Sequence, residues 1–425
     1  MAALIVLVTH QGTLRIVEFL GIPTLHLARL DHLILVPLTF VGLKAVTRSH
    51  ITPFGVLFLT GVTLLALGFA GNLRTGWMGL STLIAAWLTT RFWFTSAAVG
   101  FIEYKRADGA QETYRYLRNV GIAVAAIGFS AYIPGPVGEL LTGSAGRLQA
   151  RGGLTAMTSV FEHPAPFTFF MVAMFSVALA ASVHWNSRTE LFWAGIFAIA
   201  GILGLRLRTL ALLALAAGTV LLMLKGGMAA RLRRLGIVFS AALFAIAIMS
   251  ESPGALRRLD SYVGEGFQQP APRVVLYRTA FQIAGDEAPL GLGFGRFGSH
   301  IARLNYSDAY EKYGISDRWG LSRANPTFTN DGTWHSILGE LGFVGLAVAG
   351  VSILVILLVL IAGHRRLPTV HTGMYSAATA AVFIVLVVDS LFTPRVFDSI
   401  VSVLHGILFG AAFAEVGRAR TVSGN

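Results

Sequence analysis

Long apolar runs recur along nearly the whole chain and constrain its fold more than any other feature. A run of about 17 to 25 mainly apolar residues can cross the roughly 30 Å hydrocarbon core of a bilayer. Such runs lie near residues 3–24, 31–47, 53–70, 77–100, 118–134, 164–184, 190–205, 208–225, 235–250, 336–362, 372–390 and 399–416. Because backbone polar groups cannot face lipid and no strand-like alternation appears, we predict an all-α transmembrane helical bundle of about 12 spans.

The composition agrees with this prediction and argues against several functions. Of the 425 residues, 55% are hydrophobic and only 13% are charged. The net charge of +12 lies mostly at span ends rather than in a basic stripe with interleaved aromatics, so we expect the lipid bilayer as a partner and no nucleic acid. The chain has no cysteine, and its histidines lack metal-ligand spacing. We therefore expect no metal site and no cofactor.

The basic residues also predict the orientation of the chain. Lys and Arg are enriched in the short cytoplasmic loops of membrane proteins. One alternating set of short loops is richer in them and includes Lys105, Arg106, Arg231 and Arg233. Both termini are then cytoplasmic, and the polar segment 251–332 lies on the far side, which in a bacterium is the periplasm. We predict a single integral membrane domain over residues 1–425, with 251–332 as a periplasmic loop region between two spans.

Several arginines fall on the predicted outer face. Arg206 and Arg208 lie in "GLRLRTLALLALAAG", and Arg273 and Arg278 lie in "APRVVLYRTAFQIAG". The guanidinium group offers a rigid fork of donors that matches phosphate oxygens, so these residues favour an anionic ligand such as a lipid diphosphate. The alternative is that they snorkel to the interface or bind lipid headgroups.

A histidine stands where a polar loop becomes a glycine-spaced apolar helix, in "TNDGTWHSILGELGFVG". A neutral imidazole there could take a proton from a sugar hydroxyl, which makes His335 the candidate catalytic base. The alternative is an interfacial histidine that hydrogen-bonds a loop carbonyl. Glu340 lies inside the same span, where helix packing or arginine pairing is favoured over catalysis.

A glycine pattern precedes this region. "GLGFGRFG" matches G-x-G-x-x-G, but no strand or βαβ unit surrounds it in the predicted fold, so a dinucleotide site is not expected. The pattern predicts a glycine-rich turn that re-enters the membrane surface.

Three stretches together resemble the O-antigen ligase and Wzy-type polysaccharide polymerase family of bacterial inner-membrane enzymes. "LRLRTLALLAL" is similar to the arginine-led span of that family and selects Arg208 or Arg206. "RVVLYRTAFQIAGDEAPLGLGFGRFG" is similar to a pattern of an arginine, an aromatic four residues on, an alanine three further and then P-L-G-x-G; it selects Arg273 and Tyr277. "WHSILGELGFVGL" resembles the histidine-led signature and selects His335.

The resemblance runs from "FEHPAPF" to about Gly363, whereas the earlier spans match only in number and hydropathy. Ser336 departs from the pattern, in which asparagine is common. The loop "YSDAYEKYGISDRWGLS" looks more like loops of exopolysaccharide and capsule polymerases, which favours a polymerase.

The resemblance implies a GT-C-like fold and a metal-independent, inverting glycosyltransferase of the inner membrane, with its active site on the periplasmic face. The donor would be a glycan on undecaprenyl diphosphate. His335 would be the base, and Glu340 and Tyr277 would support the site. The diphosphate would bind to Arg208, Arg273, Arg206 and Arg278. Aromatic residues of the outer loop would suit sugar stacking, namely Tyr306, Tyr310, Tyr313 and Trp319.

Two alternatives stay open at this stage. A polymerase would extend another lipid-linked glycan, with a chain-length regulator protein as a further candidate partner, whereas a ligase would use a lipid A core acceptor. From another class, a transporter or flippase of polyisoprenoid-linked glycans predicts charged residues deep in several spans and repeated broken helices.

Overall fold

The computed structural model describes residues 2–8, 31–47, 52–106, 110–130, 132, 150–151, 154–161, 163–206, 208–224, 271–367 and 372–423. The predicted span 235–250 lies outside the described residues, as do residues 9–24 of the predicted first span and residues 251–270 of the predicted outer loop. Each of the remaining predicted spans coincides with a described helix.

The described chain is almost entirely helical. Its helices are α1 (2–8), α2 (Asp31–Thr47), α3 (Thr52–Thr75), α4 (Leu80–Lys105), α5 (Ala110–Ser130), α6 (Pro164–His184), α7 (Arg188–Leu203), α8 (Arg208–Met223), α9 (Pro272–Asp286), α10 (His300–Asn305), α11 (Ala309–Lys312), α12 (Trp334–Arg365), α13 (Met374–Asp389) and α14 (Ser399–Ser423). Strands β1 (Ala150–Arg151) and β2 (Leu154–Thr155) pair antiparallel. A 3₁₀ helix covers Arg395–Phe397.

Four of the described helices are long and apolar enough to cross a membrane, namely Pro53–Thr75, Pro164–His184, Trp334–Arg365 and Ser399–Gly417. Shorter apolar helices cover Leu35–Lys44, Arg208–Met223 and Met374–Asp389. The prediction of an α-helical membrane protein is confirmed at this level. The number of spans, the GT-C-like architecture and the single domain stay predictions.

Helix α4 packs against α2, α3 and α14 in one half of the bundle. Glycines bring α4 and α14 together, because a Cβ at Gly410 would overlap the carbonyl oxygen of Gly100 and one at Gly406 would lie 2.8 Å from the Cβ of Val99. Small residues let helix backbones approach closely in a bilayer, where lipid tails compete for apolar contacts. This contact therefore depends on shape rather than on hydrophobicity.

Helix α13 brings the ends of three helices together in the other half of the bundle. It packs against α6, α8, α12 and α14. The Trp334 indole at the start of α12 donates a hydrogen bond to the Val387 carbonyl near the end of α13 (3.1 Å). The start of α12, the start of α8 and the end of α13 consequently meet on one side of the bundle.

Helix α12 is broken at Gly342, where the backbone leaves helical geometry (φ +67°, ψ −170°). Residues 289–298, "PLGLGFGRFG", pack into this break, and we call them the glycine loop. The carbonyls of Gly339 and Glu340, just before the break, accept hydrogen bonds from the amides of Leu292 (3.0 Å) and Gly293 (2.8 Å). An unpaired carbonyl at membrane depth would cost several kcal/mol, on the order of 2 to 7. The amides of the glycine loop and the carbonyls at the break of α12 thus satisfy each other's hydrogen-bonding capacity.

Helix α3 holds the other side of the glycine loop. The Asn72 side chain accepts a hydrogen bond from the Phe294 amide (2.8 Å) and donates one to the Phe294 carbonyl (3.1 Å). The Thr75 hydroxyl donates to the Leu292 carbonyl (2.6 Å). A Cβ at Gly71 would lie 2.7 Å from the Gly293 amide nitrogen, so only a glycine in α3 permits this approach. The loop is a glycine-rich turn, as predicted, and has no strand beside it among the described residues. Its re-entry into the membrane surface stays a prediction.

The described part of the predicted outer loop, residues 271–332, has an apolar core of its own, and we call these residues the outer segment. Buried side chains of α9, the glycine loop and α11 pack together and onto Leu338 of α12; they include Leu276, Ile283, Phe297 and Tyr310. This core fixes α9 against the first turns of α12, and so places side chains of both helices near one another.

We predict that Gly410→Ala destabilises the protein, because its new Cβ would overlap the Gly100 carbonyl and force α4 and α14 apart. Overpacking of this kind costs about 1 to 3 kcal/mol. Gly350→Ala in α12 is the matched control, since a Cβ there meets nothing within 4 Å. Thermal unfolding of the purified variants in detergent measures the difference. Equal unfolding temperatures for Gly410→Ala and Gly350→Ala would contradict the prediction.

Candidate functional site

His335 lies in the first turn of α12 and is completely buried. Two glycines face its ring: a Cβ at Gly298 would lie 2.5 Å from Nδ1, and one at Gly332 would lie 2.9 Å from Cδ2. Gly298 also has a left-handed backbone (φ +70°), which other residues rarely adopt. The end of the glycine loop therefore fits directly against the imidazole.

Aromatic rings enclose the rest of the imidazole. The centroid of Tyr277 is 5.3 Å from that of His335 and the planes are nearly perpendicular (89°), while Phe297 lies at 6.3 Å and 83°. The Asp331 carbonyl lies beside the ring. Neither ring nitrogen, however, has a partner with hydrogen-bond geometry among the described residues. An unpaired buried polar atom costs about 1 to 3 kcal/mol, so a hydrogen-bond partner for these nitrogens would be favourable.

Arg273 and Tyr277 lie one turn apart on α9 and face the start of α12. The Arg273 guanidinium forms an ion pair with the Asp331 carboxylate and donates from Nε to the Asp331 carbonyl (3.2 Å). It also lies over the Phe392 ring, 5.5 Å from the centroid. The Tyr277 hydroxyl donates to the Leu391 carbonyl (3.0 Å), and burial raises the pKa of Tyr277 to about 12, so the hydroxyl keeps its proton.

A second ion-pair group lies where α8 begins and α13 ends. Arg208 Nε is 3.0 Å from Asp389 Oδ1, and Arg395 Nε is 3.4 Å from Asp389 Oδ2. The Thr393 hydroxyl donates to Asp389 Oδ2 (2.9 Å). Asp389 is 1% exposed, so it depends on these partners for its charge.

The two ion-pair groups are neighbours. Arg208 lies within electrostatic range of Arg273, Arg395 and Asp331 as well as Asp389. The structure thus brings together Arg208, Arg273, Tyr277 and His335, all selected from the sequence. Their roles stay predictions.

Two arginines selected from the sequence lie elsewhere. Arg206 Nη2 is 2.7 Å from His163 Nε2, next to the start of α6, rather than beside Asp389. Arg278 is exposed and forms no ion pair with a described residue. Of the pair Arg206 and Arg208, only Arg208 therefore joins the group around Asp389.

Arg395 is a member of the site that the sequence analysis did not select. It is buried (8% exposed) and lies between two carboxylates, since its Nη1 is also 3.2 Å from Asp398 Oδ2. The signal that could have found it is Asp389, an acidic residue at the end of an otherwise apolar run, which needs a basic partner.

Glu340 supports the glycine loop and is completely buried. Its Oε1 accepts a hydrogen bond from the Phe297 amide (3.1 Å), and the amides of Gly295 and Arg296 and the Ser299 hydroxyl lie around the same carboxyl group. The packing role favoured by the sequence analysis fits these contacts. Among the described residues, Glu340 forms no ion pair with an arginine side chain.

The aromatic residues of the outer segment divide into two groups. Tyr310 is buried and accepts a hydrogen bond from the Gly298 amide (3.1 Å), while the Tyr306 hydroxyl donates to the Leu321 carbonyl (2.9 Å). Trp319 is 68% exposed and packs against Phe328. Burial makes Tyr306 and Tyr310 part of the protein core, whereas Tyr313 is only partly buried. The expectation of sugar stacking is therefore kept for Tyr313 and Trp319.

The chain has no significant match to a protein-family model, to a curated protein or to a solved structure. Within the part of the chain that the structure describes, no group of three or more His, Cys, Asp or Glu residues could hold a metal ion. The functional argument therefore rests on the site itself and on the sequence resemblance.

We predict that Glu340→Ala destabilises the protein by about 2 kcal/mol or more, because the buried amides of the glycine loop lose their acceptor. Glu340→Gln keeps an acceptor oxygen, so this variant should lose much less stability. Thermal unfolding in detergent measures both, with Glu311→Gln as the control, since the ion pair of Glu311 with Arg323 is exposed. An unfolding temperature of Glu340→Ala equal to that of the wild type would show that the loop does not depend on this carboxyl group.

Proposed function

We propose that the protein is a membrane glycosyltransferase that moves a glycan from undecaprenyl diphosphate to an acceptor sugar hydroxyl in bacterial surface polysaccharide biosynthesis. A polymerase of O-antigen, capsule or exopolysaccharide is favoured over a ligase that uses a lipid A core acceptor. The enzyme would act at the periplasmic face of the inner membrane. The sequence resemblance supports this reaction class.

The observation that carries the proposal is the meeting of three guanidinium groups with one unpaired histidine. Arg208, Arg273 and Arg395 lie around Asp389 and Asp331 where helices of the bundle end. Arg273 also lies within electrostatic range of His335. Guanidinium groups match phosphate oxygens in shape and charge, and an imidazole with free nitrogens can accept a proton. An anionic leaving group and a general base are the two requirements of glycosyl transfer from a diphosphate.

In the proposed reaction, His335 takes the proton of the acceptor hydroxyl while that oxygen attacks the anomeric carbon. The bond from the anomeric carbon to the diphosphate oxygen breaks, and its electron pair leaves with the diphosphate. A single displacement of this kind inverts the anomeric carbon. Arg208, Arg273 and Arg395 would stabilise the negative charge that builds on the leaving group, where fixed cations in a site that excludes water are most effective.

A transporter is the alternative from another class. The break in α12 is a feature that this protein shares with transporters. In transporters, the carbonyls freed at such a break coordinate the transported ion. Here the carbonyls of Gly339 and Glu340 accept hydrogen bonds from amides of the glycine loop instead. The break therefore serves the fold of the site, which favours the enzyme.

We predict that His335→Ala lowers turnover by at least about 100-fold, the lower bound for loss of a general base. Donor binding should persist, because the arginines remain. Turnover is measured as glycan transfer, and binding as retention of undecaprenyl diphosphate. Wild-type turnover in His335→Ala would make the histidine structural.

Arg208→Ala and Arg273→Ala should each weaken donor binding by roughly tenfold or more, as expected for loss of a charge-assisted hydrogen bond to phosphate. Arg273→Lys should rescue binding only in part, because an ammonium group lacks the planar fork. Arg278→Ala, on the same helix as Arg273 but exposed, is the matched control. Unchanged donor affinity in Arg208→Ala and Arg273→Ala would refute the diphosphate site.

The reaction class is tested on purified protein in nanodiscs with an undecaprenyl-diphosphate-linked oligosaccharide and no other acceptor. A ladder of longer lipid-linked glycans, absent in His335→Ala, would support a polymerase. Transfer that requires a lipid A core acceptor would support a ligase. Inertness with both acceptors would refute the proposal and favour the transporter.

A further inference from the structure

A short segment closes the site over His335. Residues 329–333, "TNDGT", form this segment, and we call it the cover segment. Its Gly332 lies so close to the imidazole that a Cβ would be 3.0 Å from Nε2. Its last residue, Thr333, donates hydrogen bonds from its amide to the Ser390 carbonyl (2.9 Å) and from its hydroxyl to the Thr393 carbonyl (3.2 Å). With the cover segment in this position, no acceptor sugar can reach His335.

The centre of the cover segment is attached to the site through Asp331. Both the carboxylate and the carbonyl of Asp331 bind Arg273, which is one of the residues proposed to hold the diphosphate. The donors of Arg273 are thus directed at a carboxylate of the protein's own chain. A phosphate group would use the same donors, since carboxylate and phosphate oxygens both match the guanidinium fork.

The two aspartates of the site differ in how easily they could give up an arginine. Asp389 is 1% exposed, so removing its partners would leave an uncompensated buried charge. Asp331 is 27% exposed and can be solvated when it separates from Arg273. Asp331 is therefore the aspartate that an anionic ligand can replace.

We propose that Asp331 occupies Arg273 in place of the donor diphosphate, and that the diphosphate, by taking over Arg273, releases the cover segment and opens His335 to the acceptor. This inference rests on the proposed function. It explains why the unpaired imidazole nitrogens are covered. It also orders the reaction, because the base becomes accessible only after the donor has bound, which protects the site from unproductive acceptor binding.

The proposal is tested by the accessibility of His335 in the full chain in nanodiscs. Diethyl pyrocarbonate modifies accessible neutral imidazoles, and mass spectrometry of peptides reports each histidine separately. Asp331→Asn keeps the size of the side chain but removes its charge. We expect it to raise the modification rate of His335 roughly tenfold, the effect of losing one charge-assisted hydrogen bond. Undecaprenyl diphosphate should raise the rate in the wild type and add little in Asp331→Asn.

Two internal controls make the measurement specific. Glu311→Gln removes another carboxylate–arginine pair of the outer segment and should leave His335 protected. His405 is 1% exposed, has no partner for either ring nitrogen among the described residues and lies among Phe92, Phe383 and Phe409. It should stay unmodified in every sample.

Three results would overturn the proposal. Unchanged modification of His335 in Asp331→Asn would show that Asp331 does not close the site. An equal rise in the modification rate of His405 would show that the contact between Asp331 and Arg273 stabilises the whole bundle rather than the cover segment alone. A rise in Asp331→Asn with no effect of undecaprenyl diphosphate on the wild type would show that the contact does not respond to diphosphate. Because labelling needs no glycan transfer, ligand-dependent labelling without transferase activity would refute the proposed function alone.

Discussion

The hydrogen bonds between the glycine loop and the broken helix α12 are the interaction on which the candidate site depends. A break inside a candidate membrane-spanning helix exposes carbonyls that lipid cannot satisfy, and the loop packed into it exposes amides. Each supplies what the other lacks, through Gly339, Glu340 and the amides of residues 292, 293 and 297. The same loop ends at Gly298, against the ring of His335. Loss of the loop would therefore remove one wall of the histidine site as well as destabilise the helix.

Compensation of buried charge shapes the other half of the site. Three arginines in a poorly solvated region would repel one another, and unpaired they would be costly to bury. Asp389 offsets this cost from within the bundle, while Asp331 does so from the cover segment. Asp389, which the proposed diphosphate does not displace, holds the guanidinium groups of Arg208 and Arg395 in place. Such preorganisation reduces the cost of binding an anion, because the arginine side chains are already ordered.

Local sequence patterns selected several residues of the site, but they did not give the complete set. Arg208, Arg273 and His335 lie together as the sequence suggested. Each lies in the first turn of its helix, and these three helices begin close to one another. Arg206 is only two residues before Arg208, but its side chain meets His163 instead. Arg395 was missed, because nothing local distinguishes an arginine beside a buried aspartate from one at a membrane surface.

The sequence by itself determined that this is a helical membrane protein, since the length of an apolar run and the need to satisfy backbone groups in lipid are local properties. The apolar runs also predicted where most of the described apolar helices lie, but not all of their ends, since α5 begins at Ala110 rather than near residue 118. Only the tertiary structure decided that His335 is covered, that Glu340 supports a loop and that Asp331 pairs with Arg273. These facts depend on contacts between residues far apart in the chain, such as positions 273 and 331, whose proximity is set by how the helices pack and not by their own composition.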